Sequence, residues 1–187
     1  MKKLLSIAAV LMLLFWGCSK EANINNPIEG GQVEQPNWIA LPGHDIQTIE
    51  ADASVSKMIY GNEETLLEIN TGYAGGIHGW VSITANARFQ RYSFTGQRYI
   101  TMTVNDQFGT ATFSPSGSFT KPVIYNLTIM GVDLRNVDPA KVKFVYMAAN
   151  GSYYIPQYQS LYVEKQSGKL QITNALLPHF SRYGFIK

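Results

Sequence analysis

The chain has 187 residues, of which 45% are hydrophobic and only 15% charged, a balance that suits a packed core and excludes a disordered, highly charged chain. Its 15 Lys and Arg face 13 Asp and Glu, and Lys2 and Lys3 alone supply the excess; nucleic acid is therefore excluded as the expected partner, because phosphate binding rests on a basic surplus. With a single cysteine, Cys18, no internal disulfide can form, so the fold must stand on its core.

The first segment, MKKLLSIAAVLMLLFWGCSK, has a basic head, an apolar stretch from Leu4 to Trp16, and then Gly17-Cys18. The apolar part is shorter than the roughly 20 residues a membrane-crossing helix needs, which makes residues 1–17 an export signal. A small residue directly before the cysteine resembles the lipobox of bacterial lipoproteins. That resemblance implies that Cys18 carries a diacylglyceryl group and a fatty acid such as palmitate, becomes the mature amino terminus, and ties the protein to a membrane. Ser19 after it resembles the signal for the outer membrane, with the periplasmic and surface faces both open. The alternative, an ordinary secretory leader, would leave an exported protein with a lone thiol.

Residues 18–36, rich in Asn, Gly, Pro, Gln and Glu, cannot bury enough surface to offset their ordering entropy and read as a flexible tether. Residues 37–187 form the expected domain. Within it, Glu63-Glu64 marks a solvated turn, and the glycines at 72, 75, 76 and 79 in NTGYAGGIHGW read as a loop between strands. This loop lacks the Lys-Ser/Thr and the helix that a phosphate cradle requires.

From about Ser54 onward the hydrophobic period is two. Ile100, Met102 and Val104 alternate with threonines; Val123, Tyr125, Leu127 and Ile129 share one face while Asn126 and Thr128 take the other. The segment DLRNVDPAKV holds at most a turn of helix. Val142, Phe144 and Tyr146 resume the alternation, as do Leu161 and Val163, then Leu170 and Ile172. Asn150-Gly151 and Ser167-Gly168 read as tight type I′ hairpin turns. These elements predict an all-β fold, a single-domain antiparallel β-sandwich.

Catalytic signals are few. The chain has no Gly-x-Ser-x-Gly, phosphate loop or His-Glu-x-x-His motif. His44, His78 and His179 stand far apart without ligand spacing, and Asp133, Asn136 and Asp138 lack the calcium-loop pattern, so neither metal nor cofactor is expected. Aromatics are more suggestive. Trp80, Tyr153, Tyr154, Tyr158 and Tyr162 are candidates for a surface that stacks on a sugar or anchors a protein, against the plain alternative that strands favour aromatics anyway.

Two stretches, ATFSPSGSFTKPVIYNLTIMGVDL and HFSRYGF, resemble the domain shared by zonula occludens scaffolds, uncoordinated netrin receptors and ankyrins, here called the ZU-type domain, in a bacterial secreted form. Phe113, Pro115, Gly117, Phe119, Lys121 and Pro122 carry the match, reading as a strand end, a Pro-Gly turn and a strand started by Pro122, followed by His179, Phe180 and Ser181. The likeness runs from about Ser54 to Phe185, without the family's usual proline-rich turn after VSITANARF. For members with His-Phe-Ser at this place the resemblance implies self-cleavage, with Ser181 as nucleophile, His179 as base and the Phe180-Ser181 peptide as the scissile bond. A strained peptide or an oxyanion site would have to support such a step. The expected role is instead non-enzymatic: an envelope-anchored protein-interaction or structural module, whose partner would be an envelope or extracellular protein, with a carbohydrate-binding module facing a glycan as the alternative, and with Phe180 and its neighbours finishing the last strand.

Overall fold

The structure is a computed structural model in which residues 36–43, 53–148 and 151–187 are described. The leader, Cys18, His44 and Asn150 lie outside these residues. The strands are β1 (Ala53–Tyr60), β2 (Thr65–Ala74), β3 (Trp80–Phe89), β4 (Gln97–Val104), β5 (Thr110–Ser114), β6 (Ser118–Met130), β7 (Lys143–Met147), β8 (Tyr153–Tyr154), β9 (Ser160–Glu164), β10 (Lys169–His179) and β11 (Arg182–Ile186). All pair antiparallel, in a six-stranded sheet ordered β1-β4-β5-β11-β7-β8 and a five-stranded sheet ordered β2-β3-β6-β10-β9. The two sheets close on one hydrophobic core, so the molecule is the all-β sandwich that its alternation predicts.

The alternation turns directly into layers. Val123, Tyr125, Leu127 and Ile129 of β6 meet Leu170, Ile172, Ala175 and Leu177 of β10 in the core. Ile100, Met102 and Val104 of β4, with Phe113, Tyr183 and Phe185, supply the opposite wall. Residues 36–43 add a rung beside β11: the Ile39 amide donates to the Phe185 carbonyl at 2.9 Å, and the Gly109 amide donates to Ile39 at 3.1 Å. Ile39 and Leu41 are buried there.

Local chemistry departs from the sequence reading at three places. Gly72 is not in the glycine loop but within β2, opposite Ser82. The β9–β10 hairpin exists, yet its loop spans residues 165–168 with only Gly168 at positive φ (63°), so it is not a type I′ turn. Glycine is needed there because a Cβ would lie 2.2 Å from the Val132 carbonyl oxygen. Pro122 does not start a strand but sits inside β6, at a point where it costs no ladder bond: pairing with β3 ends at Ile124, and the β10 ladder is irregular between Leu177 and His179. The segment 133–142 holds one turn of 3-10 helix, Pro139–Lys141, capped by the Asp138 carboxylate accepting from the Ala140 amide at 3.1 Å.

The phenol of Tyr125 is fully buried, and among the described residues its hydroxyl has no hydrogen-bond partner; burial alone pushes its pKa far above the ordinary tyrosine value. Its ring is well placed, 5.5 Å from Phe113 edge to face and 6.3 Å from Phe144. Tyr125→Phe removes only the unsatisfied hydroxyl and should raise the unfolding free energy by about 1 kcal/mol. A lower urea midpoint for the variant would mean that the hydroxyl has a partner in solution.

Candidate functional site

His179, Phe180 and Ser181 form the corner where the chain leaves the five-stranded sheet at the end of β10 and enters the six-stranded sheet at β11. They therefore do not finish the last strand; β11 follows them. The corner is pinned on both sides, with the Phe180 amide donating to Gly117 at 2.8 Å and the Phe113 amide to Ser181 at 3.3 Å. The Ser181 hydroxyl donates to the Met147 carbonyl on β7. The His179 ring packs edge-on against Tyr146 at 4.6 Å, and among the described residues no hydrogen bond links it to Ser181. The Tyr183 hydroxyl donates to the His179 carbonyl at 2.5 Å.

Burial lowers the His179 pKa, with a bond to the Phe180 backbone acting the other way. A base whose folded pKa is depressed takes up more protons when unfolded, so its stabilising contribution is complete above the unfolded value of about 6.5 and is lost as pH falls through the folded one. The urea midpoint should thus drop on acidification from pH 7.5 to 5.5, and less steeply in His179→Phe. Parallel pH profiles for the two proteins would remove His179 as the cause.

The other candidates stay apart. His78 Nε2 lies 2.9 Å from the Gln166 carbonyl, at the opposite end of β10 from His179. The Asp133 carboxylate is held by Arg135 at 2.7 and 3.0 Å, which lowers its pKa to about 2. Glu63 and Glu64 lie exposed in the β1–β2 turn. Among the described residues no three His, Cys, Asp or Glu converge. A cavity of about 410 Å³ opens beside residues 39–42, walled by Ile39, Leu41, Pro42, Ile77 and Val137, with Asp133 and Lys187 at its polar side.

The four tyrosines do not share a surface. Tyr153 and Tyr154 belong to the six-stranded sheet, where Tyr154 stacks on Tyr146 at 5.2 Å. Tyr158 precedes β9, and within β9 the Tyr162 side chain points, with Ser160 and Glu164, to the outer face of the five-stranded sheet, because Leu161 and Val163 face the core. Trp80 lies on that same outer face, since Val81 faces the core. These two rings are 49% and 56% exposed.

Between them lies a surface of amides and hydroxyls. Strand register sets Asn70, Thr84, Thr128, Gln171 and Tyr162 in one row across the sheet. The adjacent row is internally bonded. Asn126 Nδ2 donates to Asn86 Oδ1 at 2.9 Å, the Asn174 amide donates to Asn126 Oδ1 at 2.8 Å, and Asn174 Nδ2 donates to Gln159 Oε1 at 2.6 Å. The central link depends on an irregularity in β10, where Thr173 and Asn174 together face Asn126. Asn174 takes φ of 50°, a conformation asparagine tolerates better than most residues, and the side chain of Asn126 takes up the amide that the ladder does not. Sequence reasoning missed these asparagines; it found only that Asn126 and Thr128 turn away from the core.

Trp80 has a prepared seat. A Cβ at Gly72 would lie 2.5 Å from its Nε1 and 3.0 Å from its Cε2, so the indole occupies the space a side chain at 72 would fill. The ring rests on the sheet with its far side open. The chain matches no protein-family model, no curated protein and no solved structure.

Proposed function

We propose that this is a lipid-anchored lipoprotein of the bacterial outer membrane whose β-sandwich is a non-enzymatic binding module. Its contact surface is the outer face of the five-stranded sheet. The observation that carries this reading is the bonded row Asn86–Asn126–Asn174–Gln159: polar side chains on an open face are held in fixed positions before any partner arrives, which lowers the ordering cost of binding. The anchor rests on the Gly17-Cys18 pattern and the tether on the composition of residues 18–36. Kinship with ZU-type domains remains part of the proposal, carried by the segments around Phe113–Pro122 and His179–Ser181. The non-enzymatic side is supported by the Ser181 hydroxyl, which donates to Met147 instead of standing free for the Phe180 carbonyl.

Palmitate labelling should mark the wild-type chain and not Cys18→Ser. When Cys18→Ser protein is exported by an ordinary cleavable leader, it should still sediment with isolated envelopes, and Thr84→Arg in the same background should release it. Release of both proteins would remove the binding-module reading. Purified protein should keep its full carboxyl end by intact mass; a species ending at Phe180 that Ser181→Ala abolishes would make the domain autoproteolytic.

A further inference from the structure

From the open face, and resting on the binding-module reading, we infer that the ligand is an uncharged polysaccharide strand in extended conformation, lying across the five-stranded sheet along the row Asn70–Thr84–Thr128–Gln171–Tyr162. A pyranose has two chemical aspects. Its ring C–H faces are apolar and stack on aromatic rings; its hydroxyls each donate and accept. The face offers both. Tyr162 ends the row on the β9 edge, with Lys169 Nζ 5.4 Å from its ring, and at the β2 edge the Trp80 indole lies over Gly72, the next outward-facing residue of β2 after Asn70, so that it flanks the row instead of belonging to it.

Between the rings, amides and hydroxyls match a polyol because every Asn and Gln side chain can donate and accept at once. In the bonded row the Asn86 Nδ2 and Gln159 Nε2 hydrogens make no bond among the described residues, so each end of that row keeps donors for a ligand. The spacing also fits. The row crosses five strands, about 19 Å at roughly 4.8 Å per step, and an extended β-linked pyranose chain advances by a similar distance per sugar. One polar side chain then meets each sugar.

Charge and layout favour a glycan over a protein. The five residues of the row carry no ionic side chain; the charges of this face lie outside it, with Glu68 opposite Asn86, Arg88 between Leu66 and Ile124, and Glu164 paired with Lys169 beside Tyr162. A protein interface has an apolar centre and a polar rim, whereas here the centre is polar and the apolar residues are peripheral: Trp80 and Met130 toward one end of the strands, Leu66, Ile124 and Leu176 toward the other. A protein partner would have to desolvate the amides at the centre, each costly unless paired. A chain of hydroxyls pairs them.

The test uses the full-length protein in a detergent without a sugar headgroup, titrated calorimetrically with cellotetraose, chitotetraose and β-1,4-mannotetraose, and with tetragalacturonate as the charged control. At least one neutral tetrasaccharide should bind, more tightly than the control. Trp80→Ala should weaken it at least tenfold and Thr84→Arg should abolish it, with the unfolding midpoint of Trp80→Ala close to wild type. Binding that survives both substitutions overturns the placement on this face. Silence toward all three neutral sugars overturns the glycan assignment. Envelope sedimentation separates the two readings: retention sensitive to Thr84→Arg and destroyed by periodate oxidation of the envelopes supports the glycan. Retention sensitive to Thr84→Arg but destroyed only by protease digestion keeps the binding face and overturns the glycan.

Discussion

Phe180→Ala is expected to lower the unfolding free energy by about 3–5 kcal/mol, the range for removing a buried phenylalanine. Phe180 is 6% exposed. Its ring stacks on Phe113 of β5 at 5.1 Å and meets Phe119 of β6 at 4.6 Å and Phe89 of β3 at 6.1 Å, both edge to face. Those partners come from both sheets, so the ring ties the sandwich together at the point where the chain itself crosses over. Such pairs add about 0.5–1.5 kcal/mol beyond the area they bury. The hole left by alanine would not close easily, because hydrogen bonds to Gly117 and Phe113 fix the backbone on either side. Urea unfolding followed by circular dichroism gives the value. Phe180→Leu should recover more than half of the loss, since most of the apolar volume returns. A loss below about 1 kcal/mol for the alanine variant would mean that the corner is not a structural joint and would revive a chemical role for it.

What the sequence made legible was whatever depends on near neighbours along the chain. Val123, Tyr125, Leu127 and Ile129 announce their shared face by spacing alone, and all four are fully buried. The same holds for the turn at Asp138, whose carboxylate caps a helix two residues ahead. The amide row was not legible because its partners are 40 and 48 residues apart in the chain. Nothing in the stretch around Asn126 states which residue of β3 or β10 it will face; that follows from register, and register from the whole sheet. The tyrosines show the converse error. Tyr153 and Tyr162 are close in sequence but fall on different sheets, because the chain crosses between sheets after β8. The His-Phe-Ser stretch likewise has catalytic residue types in a row, while the direction of the Ser181 hydroxyl is decided by the pairing of β11 with β7.

Gly131→Ala is expected to destabilise the protein by about 2–5 kcal/mol and to disturb Trp80 at the same time. Gly131 follows β6 with φ of 86°, where any other residue incurs about 1–2 kcal/mol of backbone strain. It is also closed in. A Cβ would lie 2.1 Å from the Trp80 carbonyl oxygen and 3.2 Å from the Val81 Cα, so backbone must move, and overpacking of this kind costs roughly 1–3 kcal/mol. The site is a junction of three connections: Gly131 accepts from the Ile77 amide at 3.0 Å and donates to Ser167 at 3.2 Å, while the next amide, Val132, donates to Gly168 at 3.1 Å. Displacing it shifts the start of β3, and with it the indole that rests over Gly72. Two readouts separate strain from mere softening. The urea midpoint reports the stability loss, and tryptophan emission, after subtracting the spectrum of Trp80→Phe, which retains the other tryptophans, reports whether the indole leaves its seat. Under the glycan inference the same variant should bind the tetrasaccharide more weakly even at temperatures where it is fully folded, because the platform is set by backbone that the methyl group displaces. Wild-type stability in Gly131→Ala would show that the three connections yield freely, and the seat of Trp80 would then owe nothing to this glycine.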